Sequence, residues 1–324
     1  MARTVCVTGA TGFVASWLIM RLLERGYSVR ATIRPSTDGR KRDLSFLESL
    51  PGAPEKLQIF TADLNDPESF SEAIEGCTGV FHVATPVDFE DREPEQVVTQ
   101  RAIDGTLGIL KASLKSKTVK RVIYTSSASA LCVNTTGAAT MDESHWSDVE
   151  YIRAAKLNRG SYMISKTLTE KAALEFGESN GLHVVTIVPP FVTGPFVCDK
   201  LPDSVRISMA MIFGNQDDYP YLGHTCIVHV DDLASAHIFL FEHPCPKGRY
   251  ICSSDVITPE KMSKFLTEKY PNQFPVACQL KQIKGYEIPI LSADKLLDSG
   301  FEFKHGFEET FHGAIQCCRQ KGYL

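Results

Sequence analysis

Tyr162 and Lys166 stand one helical turn apart in the segment GSYMISKTLTEKAALEF. Residues at i and i+4 share a helix face, about 5–6 Å apart, so a phenol and an ammonium can meet there. Of the ten tyrosines, only Tyr162 has a lysine four positions later. On its own the pair fits packing beside a solvated lysine equally well. Upstream, Thr125-Ser126-Ser127-Ala128 closes an apolar strand-like run with two hydroxyls. Neighbours on a strand point to opposite faces, so residue physics leaves Ser126 and Ser127 both open. Together a serine, a tyrosine and a lysine have one well-defined use. The phenol gives a proton to a carbonyl oxygen as hydride arrives on its carbon. A free phenol titrates near 10, too high for efficient acid–base work at neutral pH. A close cation, the ammonium or an oxidised nicotinamide, would lower it by about 1–3 units. The lysine can also bond the nicotinamide ribose, and the serine can hold the carbonyl oxygen against the phenol.

Hydride needs a carrier, and the N-terminus offers a place for one. Gly9-Ala-Thr-Gly12-Phe-Val-Ala15 lies between a strand pattern and a helix pattern. One glycine allows the tight turn, a second lets backbone approach a pyrophosphate, and the helix N-terminus offers unsatisfied N–H groups. Gly9, Thr11, Gly12, Phe13 and Val14 are the expected contacts. Ala15 takes the third position, whose work is close helix–strand packing, and one methyl should be tolerated. The end of the second strand selects the nucleotide. An NAD site wants an acid there and an NADP site wants cations. Here Ile33-Arg34 and then Arg40-Lys41-Arg42 follow, with Asp38 already in the loop. The expected cofactor is NADPH/NADP+.

These groups need a scaffold, and the chain alternates strand and helix. TVCVT (4–8), SVRATI (28–33), LQIFTADL (57–64), GVFHVAT (79–85), RVIYTSS (121–127) and LHVVTIVPP (182–190) read as strands. Helical patterns separate them, including 67–76, Glu95 to Lys115 and the Tyr162 helix, itself read as ordinarily amphipathic. That alternation implies a doubly wound parallel sheet covered on both faces, a Rossmann α/β fold. After Pro190 the pattern loosens into short helices (233–242, 258–268, 292–299, 306–321) and brief strands such as 249–254. We read residues 1–190 as the nucleotide-binding domain carrying Ser, Tyr and Lys. Residues 191–324 read as a smaller, mixed, mainly substrate-binding part that packs on the sheet edge and returns some elements to the core.

The 324 residues are 43% hydrophobic and 23% charged, with a net charge of −5. That balance suits a globular chain and argues against a nucleic-acid partner. No apolar run reaches a membrane span, and the N-terminus enters a strand without an export signal. The ten cysteines form no C-x-x-C pair, and no histidine stands at zinc-finger spacing from them. The expectation is a cytoplasmic protein with reduced thiols and no metal. His82 reads as packed near the cofactor, and Asp231-Asp232 beside His229 as cap and dipole partners of a helix. Phe89, Phe191 and Phe196 can stack on a substrate or fill the core.

TGATGFVASW, ADL (62–64), FHVATP (81–86), YTSSAS (124–129), YMISK (162–166) and VHVDDLASAHIFLFE (228–242) resemble the extended short-chain dehydrogenase/reductase family. Within it the chain is similar, over nearly its whole length, to the plant dihydroflavonol, anthocyanidin and vestitone reductases. SFLESLPGAPEKL and the ending AIQCCRQKGYL lean towards the vestitone reductase branch, which reduces an isoflavanone ketone. The resemblance implies that Ser127 acts beside Tyr162 and Lys166. It implies that Arg34 and Lys41 take the 2′-phosphate, and that Asp63 and Leu64 face the adenine. Val83, Ala84 and Thr85 would line the cofactor, and Pro189 and Val192 would face the nicotinamide. Cys132 stands near an asparagine of the dihydroflavonol reductases, and Cys226 where they use a glutamine. Two thiols for two amides imply a less polar pocket, with Ser127, Cys132, Phe191 and Cys226 on the substrate side. The implied substrate is a small-molecule polyphenolic ketone of plant specialised metabolism, handled by a monomer. A nucleotide-sugar epimerase or dehydratase and a non-catalytic NADPH sensor are the alternatives.

Overall fold

The structure is a computed structural model that describes residues 3–36, 42–86, 93–133, 137–274, 285 and 288–324. Seven strands form the central sheet: β1 (Thr4–Thr8), β2 (Ser28–Ile33), β3 (Leu57–Thr61), β4 (Gly79–His82), β5 (Arg121–Thr125), β7 (Val184–Val188) and β10 (Gly248–Ile251). Their order is β3-β2-β1-β4-β5-β7-β10, and every pairing is parallel. A sheet covered on both faces demands apolar residues at successive positions, and the strands supply them. Val5 and Val7 pack into one core with Leu18, Val230 and Leu233, whereas Cys6 turns to the opposite core with Ile109, Leu110 and Ala173. The first core lies under helices α1 (Phe13–Glu24) and α4 (Val230–Glu242), the second under α2 (Glu95–Ser116) and α3 (Gly160–Asn180).

The alternating elements fall where expected, and the chain after Pro190 is richer. β8 (Phe191–Thr193), β9 (Thr225–His229) and β11 (Asp255–Ile257) make a second, mixed sheet in the order β11-β9-β8. β6 (Thr140–Met141) pairs with β12 (Ile290–Leu291). With α5 (Pro259–Lys269) and α6 (Phe307–Gln320), residues of β9 and β11 enclose a third apolar core around Phe265, Phe311 and Ile315. β10 joins the central sheet beside β7, so this half completes the sheet as well as packing on it. The span 67–76 is a 3-10 turn at Pro67–Phe70 followed by one α-turn at Ser71–Ile74. No described helix is long and apolar enough to cross a membrane.

Two local features place the site. α3 starts after Arg159 in the left-handed region (φ 61) and ends on Gly181 (φ 66). Its buried residues include Ser165, Lys166, Thr167, Thr169 and Glu170. It is therefore not an ordinary amphipathic helix, because its inner face is largely polar. The second feature is Gly9, at φ +75, whose missing Cβ would lie 3.0 Å from the Ala84 Cα. Left-handed backbone costs a side-chain-bearing residue about 1–3 kcal/mol. Gly9→Ala is therefore expected to lower unfolding free energy by about that amount, as urea denaturation followed by circular dichroism would show.

Candidate active site

The glycine turn is shaped by backbone bonds. Ala10 N–H donates to Thr32 O at 2.8 Å and Gly12 N–H to Gly9 O at 2.9 Å. Gly12 is the N-cap of α1, with no side-chain cap and no acid in the first turn. The N–H groups and positive helix end thus face the turn without an internal anion, as a pyrophosphate requires. Ala15 is buried at 1% exposure, in the packing role expected of the third position. Arg34 is exposed just beyond β2, and no acid stands at the strand end. Lys41, Arg40 and Asp38 lie outside the described residues. Arg42, which the sequence showed only as part of a basic cluster, donates to Thr11 Oγ1 at 3.4 Å.

The floor of the turn is a chain of three polar side chains. Thr8 Oγ1 accepts from the N–H groups of Val83 (3.1 Å) and Ala84 (3.0 Å), and lies 2.9 Å from His82 Nδ1. With two bonds accepted, the hydroxyl directs its own proton at His82 Nδ1. The ring then carries its proton on Nε2, 3.0 Å from Thr106 Oγ1. Burial, reinforced by Lys166, pushes His82 down to about 3 and holds it neutral. Thr8, its hydroxyl oriented by His82, therefore fixes Val83 and Ala84 under Gly9. Asp63 closes its own turn through Asn65 N–H at 2.9 Å, while Leu64 is buried against α2 at Gly105.

Tyr162, Ser127 and Lys166 come together at the carboxyl ends of β5 and β7. Ser127 is extended (φ −159, ψ 151), and its hydroxyl accepts from Ser129 N–H at 3.2 Å and bonds the Tyr162 phenol. Ser126, its neighbour, turns the other way and donates to Glu170 Oε2 at 2.7 Å. The structure thus distinguishes the two serines: one hydroxyl faces the phenol, the other a buried carboxylate. Lys166 Nζ, on a residue 4% exposed, donates to Thr85 Oγ1 at 2.8 Å and to Thr125 O at 3.0 Å. Its charge lies 5.5 Å from the Tyr124 ring centroid. Burial pushes the ammonium down to about 7, opposed by Glu170.

The phenol differs from the sequence expectation. Burial raises Tyr162 above its ordinary value, and the opposing pulls come from the Ser127 hydroxyl and the Arg159 guanidinium. Lys166 is instead drawn toward β4 and β5 by Thr85 and Thr125. Arg159, three residues before Tyr162, is the group sequence reasoning missed. Its guanidinium lies 4.6 Å from the Tyr221 ring centroid and 3.7 Å from Asp218. A left-handed non-glycine residue leaves no signature in a sequence.

Of the residues expected on the substrate side, Cys132 and Cys226 share one apolar cluster with Leu131, Met141, Val188, Ile251 and Leu291. Burial pushes Cys132 up to about 12 and raises Cys226 too, so both thiols stay protonated. Phe191 is half-buried against the third core, and Phe196 is 3% exposed within it, edge-on to Phe13 at 6.4 Å. Phe89 lies outside the described residues. Pro189 and Val192 are buried, with Pro189 O accepting from Ala128 N–H at 2.8 Å. His229, not the acids beside it, caps α4 through Nδ1 at 3.0 Å from Asp231 N. Asp231 holds Trp17 and Arg21, and Asp232 holds the 304–305 backbone. Among the described residues no three metal-ligating side chains cluster, and nine cysteines are free thiols.

Among known proteins, the model of the NAD dependent epimerase/dehydratase family matches residues 5–251. The chain is similar to vestitone reductase of Medicago sativa, 54% identical, with 99% of this chain and 98% of that protein covered. It is 53% identical to Protein BRI1-5 ENHANCED 1 of Arabidopsis thaliana, over 99% of this chain and 89% of that one. It is 46% identical to dihydroflavonol 4-reductase of Callistephus chinensis, with 99% and 88% covered. The crystal structure of vestitone reductase from alfalfa (Medicago sativa) matches with a TM-score of 0.89 at 51% identity, covering 99% of each chain.

The buried ammonium has a consequence for stability. Lys166 titrates at about 7 when folded and at 10.5 ordinarily, so between those values the folded chain holds fewer protons than the unfolded one. Stability from this group therefore rises with pH across that window and is lowest below it. Lys166→Met is expected to raise the melting temperature, and by more at pH 6 than at pH 9, in paired calorimetric scans.

Proposed function

The chain belongs to the NAD dependent epimerase/dehydratase family, and from that premise we propose that it is an NADPH-dependent ketone reductase of plant specialised metabolism. Its substrate is a flavonoid-type ketone of the isoflavanone or related polyphenolic kind, which it converts to an alcohol. The observation that carries the reading is the Ser127–Tyr162 contact beside the buried Lys166. The likeness to vestitone and dihydroflavonol reductases supports the substrate class.

The groups in place suit the cofactor. Gly9, Thr11, Gly12, Phe13 and Val14 receive the pyrophosphate, and a Cβ at Gly9 would push the turn off Ala84 beneath it. Arg34 and Lys41 take the 2′-phosphate, with Arg42 beside Thr11 as a further cation. Asp63 and Leu64 face the adenine, while Val83, Ala84, Thr85, Pro189 and Val192 line the remainder. Bound there, NADPH supplies the hydride. Tyr162 delivers the proton to the carbonyl oxygen, and burial keeps its phenol in the protonated form that reduction needs. Ser127 holds that oxygen against the phenol. Lys166 has three ammonium protons, of which Thr85 and Thr125 O take two, leaving one for a ribose hydroxyl. Cys132, Cys226 and Phe191 give the pocket an apolar wall suited to a flat aromatic ketone.

In this reading residues 1–190 carry the cofactor and residues 191–324 mainly the substrate. The chain acts as a cytoplasmic monomer without nucleic-acid partners. Its negative net charge and the free thiols are consistent with that.

The test is NADPH oxidation by purified protein against isoflavanones, dihydroflavonols and hydroxycinnamoyl thioesters. Isoflavanone turnover is expected. Tyr162→Phe should lower kcat by about 10²–10⁴-fold while NADPH affinity stays unchanged, and Ser127→Ala should lower kcat as well. NADPH binding without oxidation in the presence of any ketone would remove the reductase reading. The nucleotide-sugar and sensor readings would then take its place.

A further inference from the structure

Glu170 is 0% exposed and lies one turn beyond Lys166 on α3. Its two oxygens accept from four donors: Ser126 Oγ (2.7 Å), Thr186 Oγ1 (2.5 Å), Arg249 Nε (2.9 Å) and Arg249 Nη2 (3.1 Å). Arg249 comes from β10, the last strand of the sheet, and is 5% exposed. It stacks on Trp146 at 3.6 Å and also bonds the carbonyls of Glu143 and His145. A buried ion pair is generally no more stabilising than apolar residues of the same volume. Its presence here therefore calls for a reason beyond packing.

The surroundings of Lys166 supply one. From β4 it faces His82, held neutral, and from β5 Tyr124, whose phenol burial raises well above its ordinary value. On its own helix Tyr162 and Glu170 stand one turn before and one turn after it. On α2, Glu95 is tied to Arg153, Arg101 to Glu93, and Asp104, Lys111 and Lys115 are exposed. Glu170 is the anion among these buried neighbours. One of its hydrogen-bond donors, Ser126, directly precedes Ser127.

We propose that Glu170, fixed by Arg249, is a positioning residue for the reaction: its carboxylate holds the Lys166 ammonium charged and, through Ser126, sets Ser127 against Tyr162. The proposal rests on the reductase reading. Without Glu170 the buried ammonium loses its proton at lower pH, and with it the ribose contact.

The experiment compares wild type, Glu170→Gln, the double variant Glu170→Gln/Arg249→Gln and the conservative Glu170→Asp. The double variant leaves no buried guanidinium without its carboxylate, so it stands in if the single one does not fold. Two profiles are measured from pH 5.5 to 9.5: kcat on the ketone found above, and NADPH affinity by nucleotide fluorescence, which needs no turnover. Removing a close opposite charge is expected to move the alkaline limb of both profiles down by about one pH unit. That would cost about tenfold above the limb and little below it, and Glu170→Asp should restore much of the shift. Profiles lowered evenly at every pH, with the limb unmoved, would reduce Glu170 to a packing role and overturn the proposal. So would a wild-type NADPH affinity that does not vary with pH. If wild type reduces no ketone, the reductase reading fails, and the affinity profiles still decide the role of Glu170.

Discussion

A parallel sheet buried on both faces leaves its strand ends as the one place where polar side chains can gather out of water, and helix α3 presents three of them there. Tyr162, Lys166 and Glu170 follow one another at single-turn intervals, and burial obliges each to find partners. The sheet provides them: Thr125 O and Ser126 from the β5 end, Thr186 from within β7 and Arg249 from β10. The same bonds that satisfy the helix also tie three strands together around the site. Removing the chemistry would leave buried polar groups behind, and loosening the fold would release the chemistry.

The cofactor side obeys the same rule with neutral groups. Thr8, His82 and Thr106 form a relay of single hydrogen bonds. It ties the end of β1 to the end of β4 and to α2, and leaves Val83 and Ala84 close under Gly9. The glycine turn sits directly on this floor, with no room for a Cβ at Gly9.

Much of this architecture is legible in the sequence because it is local. Short β-branched runs, helical periodicity and Gly181 after the last turn of α3 each follow from neighbours a few positions apart. The Tyr162–Lys166 spacing and the glycine turn belong to the same class. The choice between Ser126 and Ser127 does not, since it depends on which face of β5 meets α3. The sequence also does not show that the inner face of α3 is polar, because Glu170 and Arg249 are 79 positions apart and share no period. Arg159 shapes the phenol through a left-handed turn that no residue preference announces. Asp231 and Asp232 read as caps, yet His229 caps the helix, because packing α1 and the 304–305 segment against α4 claims both acids.

The lateness of β10 in the chain matters during synthesis. At translation rates of roughly 5–20 residues per second, the 79 positions separating Glu170 from Arg249 correspond to about 4–16 s. Through that interval the nascent Rossmann half holds an acidic residue whose counter-ion has yet to emerge, beside an incomplete sheet edge at β7. Until β10 arrives, the edge of β7 that it covers stays unpaired, a template open to a chaperone or to mispairing with a neighbouring chain.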